Sequence, residues 1–185
     1  MKKNKTLKSV ILLLIVAVTI TGCASPASVK GMVPSFDHTS FISTNKTLMI
    51  AEVKGGEKTN PMLYSRIENE GFQEALTTTL KRSGIFKDVF TDKKGDCKIY
   101  AEIVSQELQP GLTITSTLFI NYKLVEAKSS RELWKENILS QYDAKFEEAP
   151  YGALRAQKAN EGAVRDNLTQ LIKKLSSILS QLQKK

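Results

Sequence analysis

The sequence predicts an α+β fold, a mainly antiparallel sheet of four to five strands with two helices on one face. Three observations predict it. Over residues 112–124 the even positions are apolar except at Ser116 and the odd ones mostly polar, the period of a half-buried strand. Over residues 164–182 apolar side chains recur every three or four positions, the period of an amphipathic helix. The candidate strands are separated by short turns, Gln109-Pro110-Gly111 and Ala127-Lys128-Ser129-Ser130, and turns this short join antiparallel neighbours.

Taken in order, the elements read strand, helix, strand, three-stranded meander, helix. Leu48-Met49-Ile50-Ala51-Glu52-Val53 is a short apolar run that suits a buried first strand. Gly55-Gly56-Glu57-Lys58-Thr59 looks superficially like the end of a phosphate-binding loop. The pattern fails, because Glu57 stands where the glycine before the lysine should be and Ala51 where the upstream glycine should be. A solvated loop is therefore expected.

Asn60 can cap free amides and Pro61 suits a first helical position, so a helix is predicted over residues 60–83 with Gly84 as its left-handed stop. Leu63, Ile67, Ala75, Leu76 and Leu80 form its apolar face. Residues 85–90 give a short strand, followed by a charged turn at 92–96. Cys97, Ile99, Ala101 and Ile103 alternate with polar neighbours, and Leu112, Ile114, Leu118, Ile120, Tyr122 and Leu124 continue the pattern. The third strand, about 132–142, carries Leu133, Trp134, Ile138 and Leu139.

The last helix runs from about 150 to 182, with Val164, Leu168, Leu171, Leu175, Ile178 and Leu182 on one stripe and Ile172 and Leu179 widening it. Two readings of that stripe stand side by side: it covers the sheet beside the first helix, or its distal part packs on another protein or a second copy of the chain. The run is too short for a free coiled coil.

Upstream of the domain, residues 23–46 are rich in Ser, Thr, Pro and Gly and sustain no period, so they read as a flexible tether. Val33, Phe36, Phe41 and Ile42 are its residues able to dock. The single domain is expected over 47–185.

The first eight residues hold Lys2, Lys3, Lys5 and Lys8 and no acid, and residues 10–20 are almost all aliphatic or small. The apolar run falls short of the roughly 20 residues a membrane span needs, and it reads as a secretory signal over 1–22. It closes on Ile20-Thr21-Gly22-Cys23, which resembles the bacterial lipobox. That resemblance implies cleavage before Cys23, a diacylglycerol on its sulfur and an acylated amino group. Several acyl chains at about 0.8 kcal/mol per buried methylene hold a protein on a bilayer where one chain is marginal. Ala24-Ser25-Pro26 lack the aspartate that retains such proteins in the inner membrane, so the resemblance implies the outer membrane, with the domain in the periplasm.

The whole chain has 27 basic and 19 acidic residues, but four of the lysines lie within 1–22. That leaves 23 against 19, too mild a balance for a nucleic-acid partner. Cys97 is then the one other thiol, either a buried structural residue or a reactive or intermolecular one.

Catalytic chemistry finds little support. His38, the sole histidine, lies beside Asp37 in the tether, no nucleophile-elbow motif is present, and no His/Cys group has zinc spacing. Glu147 and Glu148 are adjacent rather than opposed. No catalytic, metal or cofactor residue is assigned.

The phrase over 72–90, an amphipathic helix ending at Ser83-Gly84 and leading into Ile85-Phe86-Lys87-Asp88-Val89, resembles one found in several envelope lipoproteins. With the lipobox and the order of elements, the chain is similar to small bacterial envelope lipoproteins. These include auxiliary lipoproteins of ABC-type and lipid transport, lipopolysaccharide-assembly lipoproteins and activators of peptidoglycan synthases. The resemblance implies a non-enzymatic binding or accessory subunit with an envelope protein as partner. A peptidoglycan-directed factor and a dimeric structural lipoprotein joined through the last helix are the alternatives.

Overall fold

The computed structural model describes residues 23–36 and 41–182. The elements are α1 (Val29–Met32), β1 (Thr44–Lys54), α2 (Asn69–Ser83), β2 (Phe86–Phe90), β3 (Cys97–Gln109), β4 (Ile114–Glu126), β5 (Glu132–Ala144) and α3 (Gly152–Leu182). The five strands form one sheet in the order β2-β1-β3-β4-β5. The meander β3, β4, β5 is antiparallel, while β1 runs parallel to both of its neighbours. The α+β class with a mainly antiparallel sheet is as the sequence predicts.

Alternation fixes the register. Ile99 faces Leu124, Ala101 faces Tyr122 and Ile103 faces Ile120 across β3 and β4, and Ile120 faces Ile138 across β4 and β5. A one-residue slip would turn all of these to solvent. The inner face meets Leu76 and Leu80 of α2 and Val164, Leu168, Leu171 and Leu175 of α3 in one core. The outer face is largely polar, with the Lys54–Glu102 pair at 3.6 Å and Lys123 over the Tyr100 ring at 4.8 Å, and carries the exposed Leu139 opposite Phe119. Among the described residues no helix is long and apolar enough to cross a membrane.

Two expectations are corrected. The first helix begins at Asn69 rather than Asn60. The Asn60 side chain accepts from the Met62 amide at 3.0 Å and caps a local turn instead, so Leu63 is exposed and Ile67 reaches the core from a loop. Leu112 does not belong to β4; it sits at the tip of the preceding turn, 82% exposed. Of the two readings of the stripe on the last helix, the first is what the structure shows: Leu168, Leu171 and Leu175 are fully buried against the sheet.

Two polar residues interrupt the stripe and are satisfied by the sheet. Tyr122 donates its hydroxyl to Asn167 Oδ1 at 2.8 Å, and Asn167 Nδ2 donates to the Ile138 carbonyl at 3.0 Å and Ser140 Oγ at 3.1 Å. Asn160 accepts from the Ser116 hydroxyl at 2.8 Å and donates to the Ser65 carbonyl at 2.9 Å. Buried polar groups are tolerated on this helix because each has partners waiting across the core.

Candidate functional site

The stretch read as a tether is attached to the domain over residues 24–36. The Ala24 amide donates to the Pro61 carbonyl at 2.8 Å and the Ala27 amide to that of Arg66 at 3.0 Å. Ala27 and Met32 join the core, and these small or sparse apolar residues are too few to show a period in the sequence. Ser28 caps α1 by accepting from the Gly31 amide at 3.1 Å, and its hydroxyl donates to Glu161 Oε1 at 2.6 Å. Arg165 Nη1 donates to the Gly31 carbonyl at 2.7 Å. Gly31 is required here, because a Cβ would stand 2.2 Å from the Glu161 carboxyl. Further on, the Ile42 amide donates to Ser176 Oγ at 3.3 Å, a second point of attachment to α3.

Cys23 is exposed at the head of this segment. The Ala24–Pro61 bond sets it beside the end of the domain formed by residues 59–66, the β3–β4 turn and the loop before α3. That end is held by Arg155. Its Nη1 donates to the carbonyls of Ala149 at 2.8 Å and Pro150 at 3.2 Å, and its Nη2 to that of Gly111 at 3.3 Å. The guanidinium carbon lies 5.5 Å from the Phe146 ring centroid, Nε is buried without a partner among the described residues, and no described carboxylate pairs with it. An apolar cleft of about 340 Å³ opens beside it, walled by Leu63, Tyr64, Leu108, Pro110 and Ile114. Sequence reading missed Arg155, whose three carbonyl partners come from segments that only the fold brings together.

The other residues singled out in the sequence are dispersed. Ile20, Thr21 and Gly22 of the lipobox, and Asp37 and His38, lie outside the described residues. Glu148 closes its own loop, accepting from the Lys145 amide at 3.1 Å and the Tyr142 hydroxyl at 2.8 Å. Those two bonds hold its carboxyl below the usual range. Cys97 is fully buried at the start of β3, and burial pushes its thiol up. In the glycine loop, the Gly56 amide is taken by Asn69 Oδ1 at 2.8 Å and the Thr59 amide by Glu68 Oε1 at 2.9 Å. These amides are committed to the chain itself and are not held open for a phosphate.

No family model matches the sequence, and no curated protein matches it. Solved structures do match. Protein XCC0632 from Xanthomonas campestris, of the DUF330 family, is 12% identical, with a TM-score of 0.64 over 88% of this chain and 97% of that one. A candidate lipoprotein from Caulobacter crescentus is 14% identical, with a TM-score of 0.50 over 72% of this chain and 90% of that one. At these identities the likeness is one of fold.

Proposed function

We propose that this chain is an acyl-anchored lipoprotein of the bacterial envelope, with residues 1–22 removed as a signal, lipid carried on Cys23 and the domain standing in the periplasm at the outer membrane. It works there as a non-enzymatic binding or accessory subunit in envelope assembly or transport. The observation that carries this reading is the lipobox ending at Cys23, a residue exposed at the head of a segment hydrogen-bonded to the domain. Acylation there leaves the fold undisturbed, since Cys23 takes no part in the core while Ala24 and Ala27 do hold the chain down. The Caulobacter structure, described in lipoprotein terms, is consistent with it.

Mass spectrometry of the full chain expressed in a Gram-negative host should show cleavage before Cys23 and a diacylglyceryl thioether with an acylated amino terminus. An unmodified sulfur defeats the anchor. Affinity purification of the acylated chain from solubilised envelope should recover a membrane complex. Recovery of free monomer alone, or co-sedimentation with purified sacculi, counts against the accessory role.

A further inference from the structure

Large apolar side chains left in water are concentrated at one end of this molecule. Ten are exposed among the described residues, and seven of them lie there: Met62, Leu63 and Tyr64 in one loop, Leu112 at the β3–β4 turn, and Phe146, Tyr151 and Leu154 around the start of α3. Met62 is 92% and Leu112 82% exposed, so neither contributes much to folding. A contiguous apolar surface on a soluble face marks an interaction site.

The anchor point is at the same end. The Ala24 amide is 2.8 Å from the Pro61 carbonyl, next to Met62, and the Cys23 Cα lies about 3.8 Å from that of Ala24. Residues 60–65, 109–114 and 149–154 carry no charged side chain, and the exposed carboxylates of Glu147 and Glu148 stand at the rim beside Phe146. Tyr64 and Tyr151 are the amphipathic aromatic type that settles at the level of lipid headgroups, while Leu and Met reach further into the acyl boundary.

We infer that this end of the domain is a lipid-contacting face, seated on the bilayer that holds Cys23, with Met62, Leu63 and Leu112 in the interface. The inference rests on acylation at Cys23. It goes further, because an acyl tether alone leaves the domain free to tumble in any orientation, whereas a seated domain presents its polar outer sheet sideways to the periplasm.

The test uses the acylated full chain in vesicles of phosphatidylethanolamine and phosphatidylglycerol, labelled with a fluorophore at Leu112→Cys or, at the opposite end, Lys128→Cys. Cys97 is fully buried and Cys23 is blocked by its lipid. Nitroxides carried on the lipids should quench the label at 112 severalfold more strongly than that at 128, and Met62→Asp with Leu63→Asp should abolish the difference while acylation and fold persist. Equal quenching at the two sites, with Cys23 shown to be acylated, overturns the seated face and leaves the anchor standing. Shielding of residue 112 that vanishes when vesicles carry one chain each means that a second copy covers the face, and overturns it too. An unmodified Cys23 overturns both readings.

Discussion

Glu161 Oε1 accepts both the hydroxyl of Ser28 at 2.6 Å and its amide at 3.1 Å, across 133 positions of sequence. Lys158 Nζ at 2.9 Å and Gln157 Nε2 at 3.0 Å complete the ring of donors around a carboxylate that is almost wholly buried. The contact fixes the amino-terminal segment to α3, and so fixes where the anchor leaves the domain.

That attachment is expected to be acid-labile. Burial by itself raises the Glu161 carboxyl, but the Ser28 hydroxyl, Lys158 and the Ser28 amide together outweigh it and hold the group below the 4.5 of an unperturbed glutamate. A carboxyl depressed in the folded state contributes stability that is fully present above the unfolded value and is lost as pH falls through the folded one. Amide resonances of Ser28 and Gly31 should therefore move toward unstructured positions as pH falls below the unperturbed glutamate range, while those of Ile120 and Leu168 hold. Glu161→Gln should cost about 1–3 kcal/mol and remove the acid sensitivity. Persistence of that sensitivity in the variant would show that another group is responsible.

Tyr122 and Asn167 should prove coupled. Burial pushes the Tyr122 hydroxyl well above its usual range, so it remains a donor to Asn167. Tyr122→Phe leaves the Asn167 oxygen without this donor, at a cost of about 1–3 kcal/mol. Asn167→Leu costs more, because it deprives Tyr122, Ile138 and Ser140 of a partner together. The double variant should lose less than the sum, with a coupling of about 0.5–3 kcal/mol in urea denaturation. Strict additivity would mean that the hydroxyl finds another partner in the core.

Aspartate at Leu171 or Leu175 should unfold the domain. Both side chains are fully buried in the monomer, and an unpaired carboxylate there has no compensating donor. Circular dichroism should show loss of the cooperative transition. A folded variant that merely changed its sedimentation coefficient would show that these side chains face a second copy and not the core.

What could be read from the sequence was whatever repeats with the period of one element. The alternation of β4 and the stripe of α3 are local and strong, so class, element order and most of the core were legible. Asn60-Pro61 misled because the same capping chemistry serves a turn as well as a helix, and the helix that follows, which begins at Asn69, has Glu68 at its N-cap with no side-chain cap bond. The parallel pairing of β1 with β2 and β3 leaves no local trace, since it depends on where α2 returns the chain. Residues 24–36 were unreadable for a related reason: their hold on the domain comes from single contacts such as Ser28–Glu161 and Gly31–Arg165, made to a helix more than a hundred residues away. The cluster at the anchor end likewise exists only once three separated loops meet.

Gly162 gives a prediction in which two effects of known sign compete. Within a helix, glycine to alanine ordinarily stabilises by about 1 kcal/mol, because glycine loses more backbone freedom on folding. Here, however, a Cβ would lie 2.2 Å from Cγ of the Tyr142 ring, far inside contact distance. The ring cannot easily withdraw, since its hydroxyl donates to Glu148 at 2.8 Å and Arg165 lies over its face at 5.6 Å. Overpacking of this kind costs about 1–3 kcal/mol, which exceeds the helix gain, so Gly162→Ala should destabilise the domain on thermal denaturation. Tyr142→Ala in the same background should recover much of the loss by opening the space. A stabilised Gly162→Ala single variant would show that α3 and β5 are less closely apposed at this point than the Tyr142 contact implies.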